Sequence, residues 1–413
     1  MQCACTSTKH LEAVSQACRV LVLTSSAGAG HDMHARAFAE WAAHLYGDAV
    51  TVRVEQMLED SAWLLRQGVR LYNAIQRHAP WVHHLFYHVV ELFLMFHADD
   101  IAFGRRHYLA VLEAFRPDVI LSVHDCLNRG YFALARQVLG PQTRCVTFCL
   151  EYGGGYGCSR GWVDRSVDLF LGRTPECAEF GIHRGLAADR CLTLGDLFPR
   201  HFYRPRFTAE EKARYLRERF GFSAQTLTLL LATGGAGAVN HEALLDALKA
   251  LNVQVIALCG RNTRALDRLN AWSARNPDFA LRALPFTDDI PELLQVSSAV
   301  VARGGGMAAE ALFFGCPTIF NECGGRMPQE FPTIRYFRER QIGLTVARPR
   351  DLAAIVGRWL ANPDEYAALR ARVAANIPTD DAPRLMAGIL GEAAPRASSG
   401  VTPAGRAQFV EGS

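Results

Sequence analysis

The sequence predicts an α/β protein built as two similar-sized domains facing a cleft. Three observations lead there. Short β-rich runs alternate with helical stretches along the chain, the pattern of parallel sheets covered on both faces. The series starts twice, at Arg19 and again at Thr226. The 413 residues also suffice for two to three domains, at roughly 150 residues each.

In the first series, Arg19–Thr24 (RVLVLT) is an apolar run closed by a glycine loop, and Ala49–Val54 alternates with period two. Asp118–Val123, Arg144–Leu150 and Val167–Leu171 follow. The second series runs through Thr226–Thr233, Val253–Cys259, Phe279–Leu284, Ala299–Ala302 and Cys316–Phe320. Between them lie Pro199, Pro205 and the charged stretch Glu210–Arg219. The expected division is a flexible lead-in at 1–18, an N-terminal domain at 19–198, a linker at 199–225, a C-terminal domain at 226–392 and a disordered tail at 393–413. The tail is assigned on its Ser, Gly, Pro and Ala content.

Charge excludes two classes of function. Lys and Arg number 44 against 41 Asp and Glu, a net +3, too balanced for a strongly basic nucleic-acid binder or an acidic solvated tail. No stretch reaches the ~18 apolar residues of a membrane-spanning helix, and the start lacks the apolar run of a secretory signal. Twelve cysteines are scattered without CxxC spacing, which predicts reduced thiols in a cytoplasm.

Residues 58–115 stand apart as a long helical insertion without a strand signal. Trp63, Tyr72, Trp81, Phe86, Tyr87, Phe93, Phe96, Phe103 and Tyr108 alternate there with Arg66, Arg70, Arg77, Arg105 and Arg106. The composition fits an aromatic and basic surface seated in a membrane interface, with Trp63, Trp81, Arg66 and Arg70 as the expected acceptor or membrane contacts. It fits equally a helical insertion packed on its own domain. His84 and His88 lie one helical turn apart, but no further ligands converge by sequence, so no metal site is expected.

Four glycine-rich turns carry the chemistry. Thr24–His31 joins a strand to a helix, with Gly28 and Gly30 permitting close approach and His31 at the mouth of the cleft. Such a turn points backbone amides at an anion, and a histidine there could take a proton from a hydroxyl or simply cap the helix. Thr233–Gly237 repeats the arrangement with Gly234 and Gly235. Ala302–Glu310 places Gly304 and Gly305 at another helix start, with Glu310 one turn inside, where a carboxylate can accept ribose hydroxyls. Gly324–Glu330 ends in Gln329 and Glu330, polar groups suited to sugar hydroxyls.

At these residues the sequence resembles the glycosyltransferase family that holds monogalactosyldiacylglycerol synthases and processive diacylglycerol glucosyltransferases, a group related to the UDP-GlcNAc transferase of peptidoglycan synthesis. Gly28–His31, Leu258–Asn262 (LCGRN), Pro285–Leu294, Gly304 and Gly305 with Glu310, Gly315–Ile319 and Gln329–Glu330 carry the likeness. The resemblance implies a GT-B architecture of two Rossmann-like domains, with the nucleotide sugar on the second and the acceptor on the first. It puts Gly234, Gly235, Gly304 and Gly305 at the diphosphate, with Arg261 or Arg303 supporting its charge. Arg261, Asn262 and Phe286 come near the base, Glu310 at the ribose, and Gln329 with Glu330 at the hexose. His31 becomes a catalytic or acceptor-orienting group.

The implied reaction is inverting transfer of galactose or glucose from a UDP-sugar to a diacylglycerol-like lipid, without metal or further cofactor. The expected location is peripheral, on the cytoplasmic face of a membrane, with no nucleic-acid partner. A soluble acceptor, a UDP-sugar epimerase or hydrolase, and a non-catalytic UDP-sugar sensor are the alternatives. Four departures stand out. Ala302-Arg303 replaces the family's Lys-Pro, and Met307 replaces a hydroxyl residue. Gly195-Asp-Leu197 replaces Gly-Ile-Pro. Leu150-Glu151 replaces Thr-Asp, which makes Glu151 a second candidate base.

Overall fold

The structure is a computed structural model that describes residues 17–26, 29–78, 80–96, 101, 104–232, 240–379 and 381–391. The expected tail lies outside the described residues, as does the expected lead-in up to residue 16. The first sheet holds β1 (Cys18–Thr24), β2 (Val50–Gln56), β3 (Val119–Ser122), β4 (Arg144–Cys149), β5 (Leu169–Gly172) and β6 (Cys191–Thr193). Its order is β2-β1-β3-β4-β5-β6, all parallel. The second holds β7 (Thr228–Ala232), β8 (Gln254–Leu258), β9 (Ala280–Leu284), β10 (Ala299–Ala302), β11 (Thr318–Asn321) and β12 (Gly343–Val346). It runs β12-β11-β10-β7-β8-β9, again parallel. Strands such as β3, β5, β7 and β10 are buried along their whole length, which is why they read as unbroken apolar runs.

Both sheets reverse direction once. In the first the chain steps from β1 out to β2, then returns to β1's other side for β3. In the second it steps from β7 out through β8 and β9, then returns to β7's other side for β10. Crevices open at such reversals, beyond the carboxyl ends of the strands. The helix that follows β1 carries His31 in its first turn, and the segment after β3 carries the His124–Asp125 pair; the loop after β10 carries Arg303–Gly305.

Two stretches pack differently from the expected division. Within the expected linker, the helix Ala209–Phe220 opens on a Thr208–Glu211 capping box. It buries Leu216 and Phe220, with Phe222, against Leu230, Ile256 and Leu258 of the second sheet. It is part of the second domain's body. The last described helix, Ala382–Leu390, was expected in the C-terminal domain but covers the first sheet. Leu385, Met386 and Ile389 pack with Val20, Val22 and Phe38, and Arg144 donates to the carbonyls of Ile389 at 2.9 Å and Gly388 at 3.0 Å. An apolar stripe fixes which face a helix buries, not which sheet receives it.

The insertion is helical, as expected: Met57–Ser61, Trp63–His78, His83–Phe96 and Arg105–Phe115. Among the described residues no helix is long and apolar enough to cross a membrane.

Candidate active site

The first half of the site is built from side chains. The helix Ala29–Tyr46 begins directly beyond β1. His31 sits in its first turn, with Nδ1 2.7 Å from the carbonyl oxygen of Val123 at the end of β3. A carbonyl only accepts, so Nδ1 carries the proton and Nε2 keeps its lone pair. The imidazole ring lies 4.4 Å from that of His124 and 6.1 Å from Trp162. Burial, then the neighbouring His124, pushes His31 down to about 3, so it stays neutral across the physiological range.

Two carboxylates share this space and are driven apart. Burial alone would raise Asp125, but the hydrogen bond and charge of His124, reinforced by His31, outweigh it and hold Asp125 well below the usual range. The two groups meet at 3.1 Å, His124 Nδ1 to Asp125 Oδ1. Glu151 is pushed up to about 8 by burial and then by Asp125, against the pull of Arg173 and a hydrogen bond from Trp162. At neutral pH Asp125 is an anion and Glu151 holds its proton, the separation that distinguishes an ionic from an acidic carboxyl. The sequence reading missed His124 and Asp125. Their signal was position, at the carboxyl end of a strand beside a chain reversal. Among the described residues, His124, Asp125 and Cys126 also place three potential metal-ligand atoms within 4.8 Å of one another.

The insertion holds the loop that leads to His31. One oxygen of Glu59 accepts from Ser25 Oγ at 3.0 Å, Ser26 N at 2.7 Å and Ser26 Oγ at 2.6 Å. Asn73 donates to the Ser26 carbonyl at 3.1 Å. Gly28 lies outside the described residues.

The second half of the site is built from backbone. Gly305 caps the helix Gly306–Phe314 in open space. A Cβ on Gly306 would lie 3.9 Å from both Gly30 Cα and Glu310 Oε1. Two helix N-termini, one from each domain, therefore face each other across the cleft. Glu310 is pushed up to about 7 by burial and then by Asp196, against Arg173. Gly304 has a packing reason: a Cβ there would come within 2.9 Å of Glu330 Cβ.

Arg303 and Glu330 depart from expectation. Arg303 Nε and Nη2 reach the two oxygens of Glu330 at 2.6 and 2.7 Å, and Glu330 also accepts the Met327 amide at 2.7 Å. With Glu330 only 3% exposed, the pair is closed on itself instead of opening to a diphosphate and a hexose. Asn262 is a helix cap whose Oδ1 accepts from Ala265 N at 3.1 Å. The Arg261 guanidinium lies 4.9 Å over the half-exposed Phe286 ring. Gly234 and Gly235 lie outside the described residues. Gln329 donates to the Tyr72 hydroxyl at 2.9 Å, across the cleft.

A buried ionic cluster joins the halves behind the cleft. Asp196 meets His34 Nε2 at 2.6 Å and Arg173 Nε at 3.0 Å. Arg173 lies 5.0 Å over Tyr152, whose ring is 4.8 Å from Tyr336 of the second domain.

The family described as monogalactosyldiacylglycerol (MGDG) synthase matches residues 31–195, and the glycosyltransferase family 28 C-terminal domain matches residues 230–321. A monogalactosyldiacylglycerol synthase of Spinacia oleracea is 26% identical over 357 residues, 83% of this chain and 66% of that protein. The processive diacylglycerol beta-glucosyltransferase of Bacillus subtilis (strain 168) is 24% identical over 354 residues, 84% of this chain and 88% of its own. The chain thus spans just under two thirds of the plant relative's length and most of the bacterial one's. The crystal structure of Acinetobacter baumannii MurG aligns over 90% of this chain and 99% of its own, with a TM-score of 0.58 and 15% identity. That likeness concerns the fold, the GT-B arrangement of two parallel α/β domains.

Proposed function

We propose that this chain, which is similar to the monogalactosyldiacylglycerol synthases and processive diacylglycerol glucosyltransferases, is an inverting hexosyltransferase that moves galactose or glucose from a UDP-sugar to a diacylglycerol-like lipid. One observation carries the reading: the helix ends at Gly30 and Gly306 converge across the cleft, with His31 on one side and Glu310 on the other.

Backbone amides at two facing helix N-termini suit a diphosphate, because the dipoles favour negative charge exactly where leaving-group charge develops. Glu310 accepts ribose hydroxyls, and the Arg261–Phe286 stack offers a flat face to the uracil. Gln329 contacts the hexose. The lipid hydroxyl gives its proton to His31 Nε2 as its oxygen bonds to the anomeric carbon. The anomeric carbon–phosphate oxygen bond breaks, and UDP leaves with the electron pair. Ionised Asp125 stabilises the imidazolium that forms. Glu151, raised to about 8 by burial and Asp125, is the second candidate for the base. No metal or further cofactor enters this scheme.

The acceptor arrives from a membrane surface. Trp63 is 70% exposed and Trp81 69%. Leu85, Val89 and Leu92 make an exposed stripe on the helix His83–Phe96, and Arg70 is exposed beside Leu71. Apolar side chains rimmed by cations fit an anionic interface, and we place the protein peripherally on the cytoplasmic face. Radiolabelled UDP-galactose and UDP-glucose, supplied with diacylglycerol liposomes, test the reading. Labelled glycolipid from at least one donor is expected; none from either contradicts it.

A further inference from the structure

The scheme above leaves Tyr72 unused, yet this side chain lies where the lipid-facing insertion meets the far domain. Tyr72 and Asn73 are neighbours on the helix Trp63–His78. Asn73 donates to the Ser26 carbonyl, in the loop that leads to His31, at 3.1 Å. The Tyr72 hydroxyl accepts from Gln329 Nε2 at 2.9 Å. A single turn of one helix thus bonds to both halves of the cleft.

The phenol is held firmly enough to act as a gauge. Its ring meets His83 edge-on at 4.5 Å and Phe86 at 5.6 Å. Burial, then the surrounding Asp125, Cys126, Glu151 and Glu330, pushes its ionisation above that of an ordinary phenol, so the proton stays on. One lone pair of the hydroxyl takes the Gln329 amide.

We propose that Tyr72 is a positioning residue for the transfer: it fixes the Gln329 carboxamide and, with Asn73, sets the distance between the donor hexose and the hydroxyl presented to His31. The proposal rests on the transferase reading of this cleft. Reactive groups a fraction of an ångström out of register lose rate steeply, and a lipid hydroxyl out of register leaves the anomeric carbon open to water.

Y72F tests this, because it keeps the ring and its packing and removes only the hydroxyl. On diacylglycerol vesicles kcat/KM for transfer is expected to fall about tenfold, the scale of one lost hydrogen bond. The ratio of hydrolysed to transferred hexose should rise, and the preference between UDP-galactose and UDP-glucose should shift. Thermal protection by UDP alone should be unchanged. Y72F and Q329A should be non-additive in a double-mutant cycle. A wild-type partition and donor preference in Y72F, or simple additivity with Q329A, would overturn the role. If the wild-type protein makes no glycolipid, the transferase reading fails, and Tyr72 is judged on binding. The extra protection given by a UDP-hexose over UDP should then shrink in Y72F, and an equal increment in both proteins overturns the proposal.

Discussion

The two chain reversals solve the same problem with different materials. Around His31 the chemistry lies on side chains, and their protonation states are spread by mutual contact: Asp125 ionised, Glu151 protonated, His31 neutral. Around Gly306 it lies on backbone, and the charged side chains close by are neutralised in place, as Arg303 is by Glu330. Side chains can move a proton; fixed amides can hold a charge without reorganising. Changes in the first region should therefore act on rate, and changes in the second on binding and stability.

His31→Ala separates the two most sharply. Loss of a general base costs roughly 10²–10⁴ in rate, so kcat should fall about a thousandfold while UDP protects the folded protein as before. A loss below tenfold would move the base elsewhere and break the comparison.

Next in size is the closed pair. Glu330→Gln leaves Arg303 facing a neutral partner in a largely buried setting, which costs about 3 kcal/mol and should lower Tm clearly. A combined Arg303→Met/Glu330→Met change should recover much of that. If Glu330→Gln leaves Tm unchanged but abolishes hexose binding, the pair opens to ligand and the contrast between the regions weakens.

The third prediction is a pH effect on stability. Glu151 titrates near 4.5 when unfolded and about 8 when folded. Between those values the native protein keeps a proton that the unfolded chain has released, so stability contributed at low pH is lost as pH rises toward 8. Glu151→Gln lacks this titration. Its Tm relative to wild type should climb from pH 5 to pH 8 and then level off. A constant difference would mean that Glu151 ionises normally.

The smallest effect concerns the surface. Replacing Trp63 and Trp81 together with alanine should weaken vesicle flotation about tenfold and leave turnover of a dispersed short-chain acceptor unchanged. Unaltered flotation would retire the insertion as the membrane face.

How much of this was legible in the sequence also divides along the two regions. The second half-site announces itself locally, since a buried strand, consecutive glycines and a glutamate one turn on lie within a single stretch of chain. The first does not. His31 and Glu151 could be singled out, but Asp125 and Trp162 are brought to them only by the order of strands, and Tyr72 only by the path of the insertion. The short edge strands β6 and β12 escaped notice because exposed positions interrupt their apolar pattern. The crossing of Ala382–Leu390 to the first sheet escaped because its stripe suits either domain. The Arg303–Glu330 pairing was hidden by sequence distance, so two groups expected to bind ligand were not seen to satisfy each other.

The central claim is that facing helix ends at Gly30 and Gly306 grip a nucleoside diphosphate. A crystal structure of the complex with UDP tests it most directly. The β-phosphate should sit against the helix ends that meet at Gly30 and Gly306, with the ribose hydroxyls on Glu310. Nucleotide bound elsewhere, away from both helix ends, would contradict the account.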